Sequence, residues 1–157
     1  MMPGTRAEAH ALQDAERALL ASGRFFGRLD PAQLERVAGI GRVLAFPQDT
    51  RIYTIGDDVD DFYVLVEGTV RFTLGLGKRE TAAGDIIRRG EVFGWAALVE
   101  GYSRRIATAY CLTACEVVAL DGASLRALMD DDPLAGYLIM KQLAVLLTSE
   151  LTAFAAG

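Results

Sequence analysis

From Ile40 to Leu120 glycines break the chain into short stretches whose apolar residues recur at every second position. Strands satisfy that period and helices do not. Val43 and Ala45 alternate with Arg42, Leu44 and Phe46, and residues 51–53 make a second short extended piece. Phe62-Tyr63-Val64-Leu65-Val66 is aromatic and β-branched on both faces, the pattern of a fully buried strand. Glu67-Gly68 reverses the chain into Val70, Phe72 and Leu74, which alternate with Arg71 and Thr73. Further strands are expected at 86–88, 105–111 and 115–120. Many short strands separated by glycine turns predict a mainly β fold with flanking helices, a sandwich or double-stranded β-helix jelly roll.

The two ends read differently. Residues 6–22 are rich in Ala, Glu, Arg and Leu and predict an N-terminal helix that ends at Ser22-Gly23. Asp30-Pro31 is a strong helix start, an acceptor side chain followed by a residue whose φ is already helical. Leu34 and Val37 should then face inward. After a short helix at 122–129, Asp130-Asp131-Asp132-Pro133 caps a long C-terminal helix over 133–155. Its Met140, Leu143, Leu147 and Phe154 form one apolar row, and Leu134, Leu138, Val145 and Leu151 occupy neighbouring rows. One row suffices to pack on a sheet, so the second implies either a homodimer through this helix or broader packing on its own domain. The organisation expected is an N-terminal helical segment, 1–24, and one domain, 25–157.

Composition narrows the function. A chain of 157 residues, 52% apolar, can bury a sizeable core without disulfide or metal. Its net charge of -5 opposes general nucleic-acid binding, although a local arginine can still hold a small anion. Cys111 and Cys115, at an even spacing expected to place both on one face of a strand, read as reduced, buried thiols. Charged residues break any candidate membrane span or signal peptide, so no membrane association and a cytoplasmic location are expected.

Candidate chemistry is sparse. The single histidine, His10, falls in the N-terminal stretch and leaves neither a catalytic triad nor a His-rich metal set. Leu74-Gly75-Leu76-Gly77-Lys78-Arg79 fails the phosphate-loop spacing and reads as a hairpin tip. The run Asp57-Asp58-Val59-Asp60-Asp61 lacks the Gly and Glu of a calcium loop and reads as a turn. One region offers more. Gly94 permits a tight turn into Trp95, Ala96, Ala97 and Leu98, whose first amides have no internal partners. An arginine returning at Arg105 can meet the same point and complete a site for one phosphate. The alternative is a surface salt bridge from Arg105 over a packed turn.

These residues occur in an order that resembles the cyclic nucleotide-binding domain family: Gly56-Asp57, then Phe62-Tyr63-Val64-Leu65 with Gly68 and Val70, then Gly90-Glu91, Phe93-Gly94, and Arg105 with Ala107-Thr108-Ala109. The resemblance spans about residues 25–155. It implies a jelly roll flanked by helices and a phosphate cassette at Gly94, Trp95, Ala96, Ala97, Arg105 and Ile106. It also implies that Arg105 binds the cyclic phosphate of cAMP or cGMP. The family's cassette has Glu, accepting from the ribose hydroxyl, where Trp95 stands, and Ser or Thr where Ile106 stands. Losing two polar contacts in a dry site weakens a cyclic nucleotide by roughly two to three powers of ten. The family's adenine cap is also thin here, with Thr148, Ser149 and Glu150 the polar groups near that point of the last helix.

The expectation is a stand-alone regulatory or sensor module, not an enzyme, with no cofactor or metal. Its ligand is a cyclic nucleotide or other anion bound weakly or atypically. With the chain ending at Gly157, no DNA-binding or catalytic output is expected, and signalling would pass to a homodimer or a separate effector protein. The alternative is a degenerate domain, its pocket closed by Trp95 and Ile106, that serves as a homodimeric scaffold. A metal-dependent jelly-roll enzyme is the third reading, and it lacks ligands.

Overall fold

The computed structural model describes residues 9–75 and 77–156. Eight strands form two antiparallel four-stranded sheets. One sheet contains β1 (Gly41–Phe46), β8 (Cys115–Asp121), β3 (Asp61–Glu67) and β6 (Val92–Phe93), in that order. The other contains β2 (Arg51–Tyr53), β7 (Thr108–Cys111), β4 (Val70–Leu74) and β5 (Thr81–Ile87). Helices α1 (Asp14–Ser22), α2 (Pro31–Ile40), α3 (Gly122–Asp131) and α4 (Pro133–Ala156) flank them. The expected jelly-roll architecture is present, as two facing sheets with flanking helices.

Strand β3 explains why one run is apolar on both faces. It pairs with β8 so that Phe62 meets Leu120 and Val64 meets Val118, while Tyr63 meets Ala119 and Leu65 meets Val117. The first set joins Phe25, Phe26, Val37, Leu125 and Ile139 in a cluster between the sheet and the helices. The second joins Leu44, Phe72, Phe93 and Ala109 between the two sheets. Because successive strand side chains alternate faces, the central strand supplies both cores.

Helix α2 begins as expected: Asp30 Oδ1 accepts from Gln33 N at 2.8 Å, and Gln33 Oε1 accepts from Asp30 N at 2.9 Å. This reciprocal box satisfies two amides that the helix itself cannot. Asp132 Oδ1 likewise accepts from Ala135 N at 3.1 Å at the start of α4.

Three expectations need correction. The N-terminal helix begins at Asp14 rather than near residue 6, because His10 is drawn into a bridge with Val43 (His10 N to Val43 O 3.3 Å, Val43 N to His10 O 2.7 Å). The part of that expectation on residues 6–8 lies outside the described residues. Leu19 and Leu20 also pack in the same cluster as Phe62, so α1 shares the core of the domain. Cys111 and Cys115 are free and buried, but they end β7 and begin β8 on either side of a turn instead of sharing a strand. Finally, Leu143 is only 3% exposed and belongs to the helix-side core, whereas Met140 is 41% exposed. Leu143 therefore faces inward and cannot contribute to an outward dimer row. The side chain of Phe154 lies outside the described residues.

Candidate ligand-binding site

The site is built where strand ends converge. Tyr63 pairs with Phe93 across β3 and β6, and their rings stack with centroids 5.0 Å apart at 14°. The chain then turns at Gly94, whose φ of 81° and ψ of 34° are left-handed. A Cβ there would lie 3.0 Å from Tyr63 Cδ2 and 3.2 Å from both Asp61 O and Arg105 Nη1. Glycine is thus required twice, by conformation and by crowding. The single 3-10 turn Trp95–Leu98 follows, and its first bond runs from Ala97 N to Gly94 O at 3.2 Å.

Arg105 precedes β7 in a loop, not in the strand expected over 105–111. Its backbone is fixed on both sides by the Gly56-Asp57 turn: Arg105 N donates to Asp57 O and Gly56 N donates to Arg105 O, each at 2.8 Å. Thr108 Oγ1 accepts from Ile55 N at 2.9 Å and holds the same corner. The Arg105 side chain points inward and is 3% exposed as a residue. Nη2 donates to Asp61 O at 2.6 Å and to Asp60 Oδ1 at 3.3 Å, and Nη1 donates to Gly94 O at 3.3 Å. The guanidinium lies 4.1 Å over the Tyr53 ring, a cation–π contact strengthened by burial. Three of its five N–H donors are used, and Nε has no acceptor. The salt bridge weighed from sequence is present, to the largely exposed Asp60, but it is made by a buried guanidinium rather than a surface one.

Beside this arginine lies a cavity of about 460 Å³, walled by Tyr53, Phe72, Trp95, Ile106, Leu147 and Glu150 among others. Gly94, Trp95, Ala96, Arg105 and Ile106 all border it. Ala97 does not: it is fully buried, and the Cβ of a residue at Gly122 would come within 3.0 Å of its own Cβ. Trp95 is half-buried with its ring edge-on to Tyr102 at 5.3 Å, and Ile106 is 52% exposed at the rim. The two side chains line the space without closing it, which removes the closed-pocket expectation.

Tyr53, Tyr63 and Asp60 complete the site and were not among the residues expected there, and of the cap residues Thr148, Ser149 and Glu150 only Glu150 lines the cavity. Glu150, on α4, is pushed up to about 7 by burial, and its Oε2 has no hydrogen-bond partner. Burial also raises the Tyr53 and Tyr63 phenols, so both stay neutral around Arg105. Among the described residues no group of three or more His, Cys, Asp or Glu is placed to hold a metal ion.

The family model of the cyclic nucleotide-binding domain matches residues 43–132, more than half of the chain. The chain belongs to the cyclic nucleotide-binding domain family. Among solved structures, a protein named as a cyclic nucleotide-binding protein from Geobacter metallireducens GS-15 superposes with a TM-score of 0.75 at 24% identity, covering 89% of this chain and 99% of that one. The sensor domain of the transcriptional regulator DNR from Pseudomonas aeruginosa gives 0.73 at 17% identity, with 87% and 91% covered. The Thermus thermophilus Catabolite Activator Protein gives 0.66 at 26%, with 83% and 58% covered. No curated protein sequence matches the chain. Within this cyclic nucleotide-binding domain, Gly94, Trp95, Ala96, Arg105 and Ile106 border one cavity.

Proposed function

We propose that this chain is a regulatory sensor domain, without catalytic activity, that binds an anionic small molecule beside Arg105 and reports occupancy through α4. A cyclic nucleotide or related phosphate is the candidate ligand, held weakly because Trp95 offers no carboxylate to a ribose hydroxyl. The observation that carries this reading is Arg105 itself, buried and incompletely hydrogen-bonded on the wall of a 460 Å³ cavity. A buried cation in that condition gains most from an arriving anion, which exchanges for the contact to the largely exposed Asp60 carboxylate.

Transmission has a physical route. Leu147 and Leu151 of α4 line the cavity. They also continue a row of Tyr137, Met140 and Ala144 at alternating spacings of three and four, the seam of a coiled coil. Tyr137, Met140 and Leu151 are 59%, 41% and 70% exposed, while Leu147 between them is half-buried against the core. Helix 133–152 is also long and apolar enough by composition to cross a membrane, with 22% of that window buried. Lys141 and Glu150 interrupt it and its inner face packs in the domain core, so a second copy in the cytoplasm is the reading adopted for the surplus apolar surface. Calorimetry with cAMP and cGMP tests the ligand: saturable binding that falls at least tenfold in Arg105→Ala supports the reading. No heat with either nucleotide removes the cyclic nucleotide as the ligand, and binding indifferent to Arg105 removes the anion site itself.

A further inference from the structure

The cavity beside Arg105 is lined almost wholly by rings and aliphatic side chains. Tyr53, Phe72 and Trp95 supply aromatic wall, and Ile106, Leu147 and Leu151 supply the rest, with Arg105 and Glu150 the charged side chains among the lining residues. We propose that the preferred ligand is a mostly apolar small molecule, an aromatic ring system carrying one anionic group, seated with its anion at Arg105 and its ring against Trp95 and Phe72. This rests on the reading that Arg105 anchors an anion and goes on to name the rest of the ligand.

Two features of the wall carry the argument. A sugar entering here would bring hydroxyls to a surface with few groups to receive them, and each hydroxyl buried without a partner costs roughly tenfold or more in affinity. A ring system meets the opposite balance. It removes apolar wall from water, and Trp95, held in a T-shaped pair with Tyr102 at 5.3 Å, is an aromatic surface lining the space. The volume of about 460 Å³ falls in the range of pockets that enclose one small organic molecule. Burial keeps the Glu150 carboxyl protonated up to about pH 7. Below that pH it adds little repulsion against an anion at Arg105, and its unpartnered oxygen is available to one polar substituent of the ring.

Trp95 is the only tryptophan in the chain, so its emission reports this site alone. The test titrates the whole chain with benzoate, naphthoate and anilinonaphthalene sulfonate, an aromatic acid series of increasing size, and with cAMP, reading Trp95 emission and calorimetric stoichiometry. The expected result is one-to-one binding of at least one aromatic acid, at least tenfold tighter than cAMP and at least tenfold weaker in Arg105→Ala. Because Arg105 also braces the Gly94 turn, Ile106→Asp serves as a second variant at an exposed rim position. It should fold normally and lose the aromatic acid by a similar factor. If cAMP binds tighter in an Arg105-dependent way, the aromatic ligand is overturned and the sensor reading stands. If no probe binds with dependence on Arg105, both fall. Aromatic binding that survives either variant in a folded protein also overturns the inference.

Discussion

At the scale of single residues the site sets a buried cation and a half-buried acid on one cavity wall, and the acid makes a pH prediction. Glu150 has a folded pKa of about 7 against an ordinary value of 4.5, raised by desolvation. Below 4.5 both folded and unfolded chains hold the proton, and the group is silent. Between there and about 7 the folded chain holds it and the unfolded chain does not, so stability falls as pH rises. Above that range the full penalty stands. Tyr53 on the same wall is raised by burial and stays neutral across this window. Glu150 keeps partial access to water, so the loss is about 1–2 kcal/mol rather than the larger figure the shift alone implies. Denaturant unfolding of Glu150→Gln should therefore show a flatter profile, with a gain of that size at about pH 8 and none near about pH 4. Equal gains at both pH values would mean that the carboxyl is not the cause. Gly94 and Arg105 were legible in the sequence because a left-handed turn and a buried cation demand particular residue types. Tyr53 was not, since an alternating strand does not reveal which of its faces meets a cavity, and on the apolar last helix the sequence narrowed the polar group only to Thr148, Ser149 or Glu150.

Among the elements, β3 and α4 mark the two limits of reading from sequence. The two-residue period of β3 leaves little freedom: with both faces apolar it had to be central, and its pairing with β8 puts Phe62 and Tyr63 in different cores. Helix α4 is apolar around most of its circumference, so a 3.6-residue period cannot choose which stripe is inside. The expected row of Met140, Leu143 and Leu147 mixed the two, and only the docking of α4 on the helix-side core, with Ala135 and Ile139 on the same face, assigned Leu143 to the inside. Residues 9–13 failed for another reason: their helix propensity was outweighed when His10 paired with Val43 at the sheet edge. The assignment within α4 is measurable. Leu143→Ala should cost about 2–4 kcal/mol in thermal or denaturant unfolding, the loss of a buried side chain plus the cavity left behind. Met140→Ala should change monomer stability by less than about 0.5 kcal/mol. Comparable losses at the two positions would contradict the inward and outward faces described.

For the whole molecule, the placement of Leu147 and Leu151 matters most, because both border the cavity while Leu147, half-buried on the core, leads into Leu151 and the exposed row of α4. Any ligand that shifts them alters the surface offered to a second copy, and linkage requires the effect to run both ways: a ligand that favours the dimer must bind the dimer more tightly than the monomer by the same factor. Tyr137 tests the association without touching the cavity, since it is 59% exposed and absent from the cavity wall. Tyr137→Glu places like charges on the seam of two parallel copies, where the uncharged ring packs in the native chain. Sedimentation equilibrium should find the native chain as a dimer at micromolar concentration and the variant at least tenfold weaker in association, with unchanged monomer stability. Adding a saturating ligand should then shift the native dimerisation constant by about five- to a hundredfold, the usual span of coupling between linked sites. A native chain that stays monomeric would detach α4 from signalling. An association constant indifferent to both Tyr137→Glu and ligand would place the contact on another face and leave the apolar row of α4 unexplained.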